Sequence, residues 1–356
     1  MICIDFVRAT SRAAGRFTLY AGFAALIAAR VSAEPPRAET PRSVKAQKSK
    51  AADASHVVMN WKGYAASVEV VAYSPDGKIL AAGDAKGNVT FREAGSGQVT
   101  RSFNAGISAV TAIAFTPDGK RFATGGADKT MTVWDMKTGK EIYHITLAGA
   151  YFDQVAFSPD GKILAASGAS PTDIPTSRSI LLWDADTGKG RMPLTGHFGL
   201  IYNIMFSADG KSIVSASGDK TVRIWDIETG RERYKMDWRD RTVYSAALSP
   251  DGTQIAAGGE DREVKLWNAE TGTPLNAIPT NDGIVSYVQF MPDSKRIAAV
   301  LNGQAVVIYD VATKSETLTL PTIQKEIRSM IVSPDGKYIV TGGLDKSVIV
   351  WDVSGK

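Results

Sequence analysis

The amino-acid sequence predicts an all-β fold, a seven-bladed β-propeller built from four-stranded antiparallel blades. The first observation is a turn of the type Ser-x-Asp-Gly that recurs at steps of 42 residues, with one step of 49. Its first residues are Ser74, Thr116, Ser158, Ser207, Ser249, Met291 and Ser333. The second observation is that short β-branched and aromatic runs, bounded by Gly, Asp and Pro, fill each step, as in antiparallel strands joined by tight turns. A period of about 40–45 residues that holds about four strands is typical of a propeller blade.

The clearest repeat covers residues 195–230. Three strand-like runs divide it, at residues 200–206, 212–217 and 221–227. The first run ends at the turn that begins with Ser207, the second ends at Gly218-Asp219-Lys220, and the third contains Trp225-Asp226. The other repeats follow the same order, so one blade serves as the template for the rest.

A large aromatic residue recurs in step on the third strand of each repeat, at Phe91, Trp134, Trp183, Trp225, Trp267, Tyr309 and Trp351. Asp follows it at positions 135, 184, 226, 310 and 352, and the Trp-Asp dipeptide itself occurs at 134, 183, 225 and 351. The chain after about residue 56 therefore resembles the WD-repeat family, as an exported member of bacterial type. The resemblance implies a propeller fold and a role in binding other proteins.

The resemblance also implies a hydrogen-bonded set that locks each well-formed blade. The set consists of a His before the first strand, a Ser or Thr on the second, an Asp in the next turn and the Trp on the third. The fourth repeat has all four, as His197, Ser215 (or Ser217), Asp219 and Trp225. Parts of the set recur as the pairs Asp128 and Trp134, Asp261 and Trp267, and Asp345 and Trp351. Where the His position holds another residue, such as Ile323 in the seventh repeat, we expect apolar packing to hold the blade.

One closed propeller accounts for residues 56–356 of the 356-residue chain, with no second domain. The seventh repeat has no outer strand of its own. The β-prone residues 56–61 lie upstream of the first repeat and can supply that strand. Pairing the two ends would remove the open edges of the array.

The N-terminal region predicts export. Residues 1–33 have the features of a signal peptide: Arg8, Arg12 and Arg16, then an apolar run at 17–29, then Val31-Ser32-Ala33. Residues 34–55 are Pro-, Ala- and Lys-rich without apolar periodicity, which predicts a disordered basic linker. We expect a periplasmic or extracellular protein with no membrane span after processing; the alternative is an uncleaved membrane anchor.

Charge and cysteine content narrow the classes of function. The chain has 41 Lys and Arg against 37 Asp and Glu, but nine of these basic residues and four of these acidic ones precede residue 56. The propeller therefore carries 32 basic and 33 acidic residues, a balance that does not favour nucleic acid. The single cysteine, Cys3, lies in the predicted signal peptide, so disulfides and thiolate chemistry are not expected.

Signatures of enzymes and cofactors are missing from the sequence. There are three histidines, and none has a His or Cys neighbour at metal-ligand spacing. No P-loop, dinucleotide fingerprint or nucleophile elbow occurs. We therefore predict a non-enzymatic, monomeric propeller without metal or cofactor.

The loops that enter each repeat and the lengthened loop at residues 167–179, between the second and third strands of the third repeat, are the least regular parts of the propeller. Binding residues concentrate in such loops. Trp, Tyr and Arg are frequent at the centres of protein interfaces. The candidate partner-binding residues are Tyr151, Pro171 and Asp173 in the third repeat, Phe198 in the fourth, and Trp238, Arg239 and Arg241 before the fifth. We expect Trp238 to be the anchor; the alternative is that it packs between blades.

These observations favour a non-catalytic protein–protein interaction scaffold that binds another protein or peptide. A propeller enzyme of the periplasmic hydrolase or lactonase type, with its site at the central channel, is one alternative. A carbohydrate-binding module is another. Convergent acidic, Asn or His side chains at the channel mouth would favour the enzyme, whereas an apolar and Arg-rich rim would favour the scaffold.

Overall fold

The computed structural model describes residues 56–106, 108–147, 151–169, 178–238, 241–281, 283–321 and 323–355. These residues form 28 β-strands in seven four-stranded antiparallel sheets, without an α-helix. The sheets are the blades of a ring, and the predicted fold class is confirmed. No helix of the described part is long and apolar enough to cross a membrane.

The strands of each blade run outwards from the ring's centre in chain order. Those of the first three blades are β2 (Val68–Tyr73), β3 (Ile79–Asp84), β4 (Asn88–Glu93), β5 (Val99–Asn104), β6 (Val110–Phe115), β7 (Arg121–Gly126), β8 (Thr130–Asp135), β9 (Glu141–Thr146), β10 (Tyr151–Phe157), β11 (Ile163–Ala169), β12 (Ser179–Asp184) and β13 (Leu194–Thr195). Those of the fourth and fifth are β14 (Ile201–Phe206), β15 (Ser212–Ser217), β16 (Thr221–Asp226), β17 (Glu232–Asp237), β18 (Val243–Leu248), β19 (Gln254–Gly259), β20 (Glu263–Asn268) and β21 (Ile278–Pro279).

The sixth blade contains β22 (Val285–Phe290), β23 (Arg296–Leu301), β24 (Ala305–Asp310) and β25 (Glu316–Pro321). The seventh contains β26 (Ile327–Val332), β27 (Tyr338–Gly343) and β28 (Val348–Asp352), with β1 (Val57–Trp61) as its outer strand. The predicted closing strand is thus confirmed. Val57 pairs with Trp351 and Trp61 with Val348, so the first strand is joined to the last.

The fraction of buried residues in a strand depends on how far the strand lies from the centre of the ring. Every residue of the second strand β15 is buried, because blades pack on both of its faces. In the outer strand β17 most residues are exposed and Met236 is buried. Small and apolar residues therefore fill the second strands, and exposed polar residues are concentrated in the outer ones.

The two faces of the ring are distinct. The turns between first and second strands lie on one face, where neighbouring turns touch: Gly119 lies against Pro75, and Gly77 against Pro334 across the closure. We call this the turn face. The loops that enter each blade and the turns between second and third strands lie at the opposite ends of the strands, and we call that the entry face.

The repeated Asp residues of the turn face have a structural role. In the first of these turns Ser74 Oγ donates a hydrogen bond to Asp76 Oδ1 at 2.7 Å, and the Lys78 N–H donates to the same oxygen at 3.1 Å. These bonds hold the pKa of Asp76 below its ordinary value. The pKa is lowered at the equivalent residues as well, namely Asp118, Asp160, Asp209, Asp251, Asp293 and Asp335. Each carboxylate thus closes its own turn.

The core lies between blades. Trp225 of the fourth blade packs with Ile163, Ile180 and Leu194 of the third, and Trp267 packs back onto the fourth in the same way. Because each interface is shared, removing one large ring weakens two blades at once.

Candidate functional site

The fourth blade contains a continuous chain of hydrogen bonds. The Trp225 Nε1–H donates to Ser215 Oγ at 2.8 Å, and Ser215 Oγ lies 2.7 Å from His197 Nε2. On the other side of the ring, His197 Nδ1 lies 2.7 Å from Asp219 Oδ2. Every polar atom in this series of hydrogen bonds is paired when His197 is neutral and carries its proton on Nδ1. Ser215, not Ser217, is the hydroxyl of the set.

Burial and hydrogen bonding decide the charges in this set. Burial lowers the pKa of His197 and keeps the imidazole neutral. Burial alone would raise the pKa of Asp219, but hydrogen bonds from His197 and Thr221 outweigh it and bring the pKa well below its ordinary value. Arg223, also buried, adds an ion pair to Asp219 at 3.2 Å and one to Glu232 at 2.6 Å. Asp219 is therefore a fixed negative charge beneath the entry face.

Asp219 also positions Phe198. The Phe198 N–H donates to Asp219 Oδ2 at 3.0 Å, and the ring lies 5.9 Å from the Arg223 guanidinium. The side chain itself is 75% exposed. Because the residue before it is locked in the hydrogen-bonded chain, the loop holds an exposed aromatic ring on a rigid base. Such a ring loses little conformational entropy on binding.

The other predicted structural residues form smaller sets. In the second blade the Trp134 Nε1–H donates to Thr124 Oγ1 at 2.8 Å, and Asp128 accepts from the Thr130 N–H at 3.1 Å. Asp261 forms an ion pair with Lys265.

The seventh blade has a set that the sequence analysis missed. Trp351 Nε1–H donates to Thr341 Oγ1 at 3.0 Å, and Thr341 Oγ1 donates to Gln324 Oε1 at 2.6 Å. Gln324 Nε2 reaches Ser347 at 3.1 Å, and Ser347 Oγ donates to Asp345 at 2.8 Å. Gln324 thus takes the place of the histidine, so this blade has a hydrogen-bonded set in addition to the expected apolar packing. Gln324 lies one position nearer to its Trp than His197 does, so strict spacing pointed to Ile323 instead.

Trp238 does not lie at the surface. Its side chain is 0% exposed, its ring lies 5.7 Å from that of Trp267, and Lys265 Nζ lies 4.1 Å from its centre. The expectation that Trp238 anchors a partner is therefore wrong, and the residue packs between the fourth and fifth blades. A large apolar ring at the end of a loop is drawn into the nearest interface because that removes the most apolar area from water.

The remaining candidate residues are placed as follows. Arg241 is exposed on the entry face, beside Asp237 and Asp261. Tyr151 is partly buried at the start of β10, where burial raises its pKa to about 12. Pro171, Asp173 and Arg239 lie outside the described residues. The structure therefore leaves Phe198 and Arg241 as exposed members of the predicted patch.

Basic side chains outnumber acidic ones among the fully exposed charged residues of the entry face, while Asp128, Glu260, Asp261 and Glu326 are half-buried there. In its described loops and turns eight exposed side chains are basic and two, Asp237 and Asp345, are acidic. The basic residues are Lys62, Lys86, Lys129, Lys220, Arg241, Arg262, Lys325 and Lys346. Lys129, Lys220, Arg262 and Lys346 have φ between 61° and 74°, a region that long side chains adopt at a cost. The total charge of the sequence does not show this set, because it does not separate the two faces of the ring.

A ring of bulged residues surrounds the channel at its entry end. Each inner strand has a β-bulge near its start, five residues before the first residue of the following turn, and bulges re-aim side chains. The bulged residues are Glu69, Thr111, Asp153, Tyr202, Tyr244, Ser286 and Arg328. Four of them, Glu69, Thr111, Asp153 and Arg328, line a channel cavity of about 310 Å³.

Several other channel side chains join neighbouring blades. Asn203 accepts from the Ala246 N–H at 3.1 Å, and Ser245 from the Val288 N–H at 3.2 Å. Between the sixth and seventh blades, the Tyr287 hydroxyl donates a hydrogen bond to the Arg328 carbonyl. These bonds satisfy backbone groups at the free edges of inner strands, so polarity in the channel is partly structural.

Four stretches of the chain match the family model described as WD domain, G-beta repeat: residues 97–135, 188–226, 234–268 and 315–352. Each match ends on the third strand of a blade, at or next to its Trp-Asp position. Together with the seven-bladed ring, the matches fit a WD-repeat β-propeller. No curated protein matched the chain.

Proposed function

Because WD-repeat propellers commonly serve as interaction scaffolds, we propose that this protein is a non-catalytic scaffold whose entry face binds an acidic segment of another protein. The observation that carries the proposal is Phe198, an exposed aromatic ring on a rigid base within a face of basic side chains. An aromatic anchor surrounded by charge of one sign fits a partner segment with an apolar residue among acidic ones.

The basic residues and Phe198 have different parts in this proposal. Exposed cations contribute mainly to association rate and to the choice of partner, and salt screens them. Phe198 contributes contact area that is buried on binding, which salt does not weaken. The proposed complex should therefore form more slowly at high salt, while the contribution of Phe198 to the binding free energy is retained.

Replacing Phe198 with alanine is expected to weaken binding of an acidic, aromatic-containing peptide at least about thirtyfold, because loss of a hot-spot residue costs about 2 kcal/mol or more. The melting temperature should stay nearly unchanged, since the ring is exposed. Fluorescence titration against an acidic peptide library, with a basic library beside it, measures the effect. Ile142→Ala is the matched control, because Ile142 is 44% exposed on an outer strand away from the entry face.

Equal binding by the Phe198 variant and the wild type would place the partner site elsewhere. A preference for the basic library would contradict the role given to the entry-face cations. Tighter binding to immobilised glycans than to either peptide library would favour the carbohydrate-binding alternative.

We also propose that the protein is exported and works in the periplasm or outside the cell. The support is the basic, apolar and small-residue sequence of residues 1–33, which lie outside the described part. N-terminal sequencing of the native protein is expected to give a mature chain that begins near Glu34. An intact Met1 on a cytosolic protein would contradict export, and an intact Met1 in the membrane fraction would identify an anchor.

The enzyme alternative has one observation in its favour. Glu69, Asp153 and Asn203 converge on the channel cavity, and burial raises the pKa of Asp153 to about 7, which suits a general acid or base. Among the described residues no group of three or more His, Cys, Asp and Glu could hold a metal ion. Hydrolysis of ester or lactone substrates by the wild type, lost in Asp153→Asn, would establish this alternative; no turnover would reject it.

A further inference from the structure

Two buried side chains of opposite charge face the channel cavity without neutralising each other. Asp153 and Arg328 are each 8% exposed and belong to the third and seventh blades, on different sides of the channel. Both occupy bulged positions, so they lie at the same depth. A buried charged group is unfavourable unless its hydrogen-bonding atoms have partners, and proteins usually pair or ligate such groups.

The surroundings of each group support this description. The Nε and Nη1 atoms of Arg328 are buried and have no hydrogen-bond partner among the described residues, and the Glu326 carboxylate lies 3.5 Å from Nη1. For Asp153, burial is the cause of the raised pKa, with no offsetting contribution from a cation. Tyr287 faces both groups: beyond burial, its pKa is raised by the charge of Asp153 and lowered by that of Arg328.

We propose that the entry end of the channel binds a free α-amino acid, with its ammonium group at Asp153 and its carboxylate at Arg328. One ligand then supplies an acceptor for the buried Nε–H and Nη1–H donors of Arg328, which have no hydrogen-bond partner among the described residues, and a counter-charge for Asp153. The site does not depend on the partner-binding surface around Phe198.

Other small ligands fit the lining less well. A simple anion would satisfy Arg328 but would face the carboxylates of Asp153 and Glu69. A simple cation would leave the buried Nε–H and Nη1–H donors of Arg328 without an acceptor. A zwitterion meets both requirements.

The size and apolar part of the cavity narrow the ligand further. Its volume of about 310 Å³ lies at the lower end of the range of about 300–1,000 Å³ for small-molecule sites. Val70, Ile113 and Ile204 form part of its wall. The lining therefore favours an amino acid with an apolar side chain over a longer peptide.

Isothermal titration of the purified full-length chain with L-leucine, L-methionine and L-phenylalanine tests the proposal. Two analogues of leucine each remove one charge: leucinamide lacks the carboxylate, and 4-methylpentanoate lacks the ammonium group. We expect at least one amino acid to bind saturably. If it is leucine, each analogue should bind at least about thirtyfold more weakly, because removing one partner of a buried charge pair costs about 2 kcal/mol or more.

Two variants test which protein side chain binds the ammonium group of the amino acid and which binds its carboxylate. The Asp153→Asn variant should bind leucine no more tightly than the wild type binds 4-methylpentanoate. The Arg328→Gln variant should bind leucine no more tightly than the wild type binds leucinamide. Asp237→Asn and Lys140→Gln each remove an exposed charge that does not line the cavity and should leave binding unchanged. The analogue series on the wild type needs no variant, so the test holds even if one fails to fold.

Absence of saturable heat with all three amino acids would overturn the proposal. Equal binding of leucine and its analogues would overturn it as well, because recognition would then not depend on both charges. Neither result bears on the Phe198 surface, which the peptide titrations test separately.

Discussion

Replacing Trp225 with alanine is expected to lower the free energy of unfolding by about 3–5 kcal/mol, because truncating a large buried ring removes its apolar contacts and leaves a cavity. Trp225 is 1% exposed and packs against the third blade. The same change removes the hydrogen bond that the indole donates to Ser215 Oγ. Urea unfolding followed by circular dichroism measures the loss.

His197→Ala is the companion variant, with an expected loss of about 1–3 kcal/mol from the unpaired groups that it leaves behind. Phe198→Ala is the control, since its exposed ring should change stability by less than about 0.5 kcal/mol. Equal and negligible losses for Trp225→Ala and His197→Ala would show that the hydrogen-bonded chain is not formed in solution.

Replacing Asp153 with asparagine is expected to stabilise the protein by an amount that grows with pH. The pKa of Asp153 rises from 3.8 to about 7 on folding because of burial. A raised folded-state pKa means that the folded protein binds the proton more tightly, so the wild type loses stability as pH rises through the interval from about 4 to 7. At about 1.4 kcal/mol for each pKa unit, the advantage of the variant reaches about 4 kcal/mol at most, above pH 7.

Urea unfolding of both proteins between pH 5 and pH 8 measures this difference. Asp237→Asn serves as the control, because Asp237 is exposed and its replacement should give a nearly constant difference. A constant difference for Asp153→Asn across the same pH range would mean that the carboxyl group is solvated or paired in the folded protein.

The fold was predictable because its determinants are local. Each turn with a Ser and an Asp carries its own hydrogen bonds, and each strand is short, so the 42-residue step alone defines seven blades. The role of residues 56–61 followed from counting strands, since only an added strand completes the seventh blade. Neither inference needed long-range contacts.

The candidate site was less predictable because it depends on contacts across blades. Nothing near Trp238 in the sequence shows that Trp267 and Lys265 receive its ring, and Gln324 was missed by a shift of one position. The channel ring does follow the repeat, for Glu69 and Arg328 stand at equivalent positions. Periodicity places the bulged residues together, but whether their charges are neutralised depends on distances around the whole ring.

The joining of β1 to β28 has a consequence for how the molecule folds. This pair brings residue 57 beside residue 351, whereas most blades consist of strands that follow one another directly along the chain. Contacts between distant segments carry the largest loop-closure cost and slow folding. The first six blades can therefore form in order during synthesis, while the seventh must wait until both ends of the chain are present. A pulling force on the N-terminus would act on the same pair first, so the last step of assembly is also the point at which the ring opens.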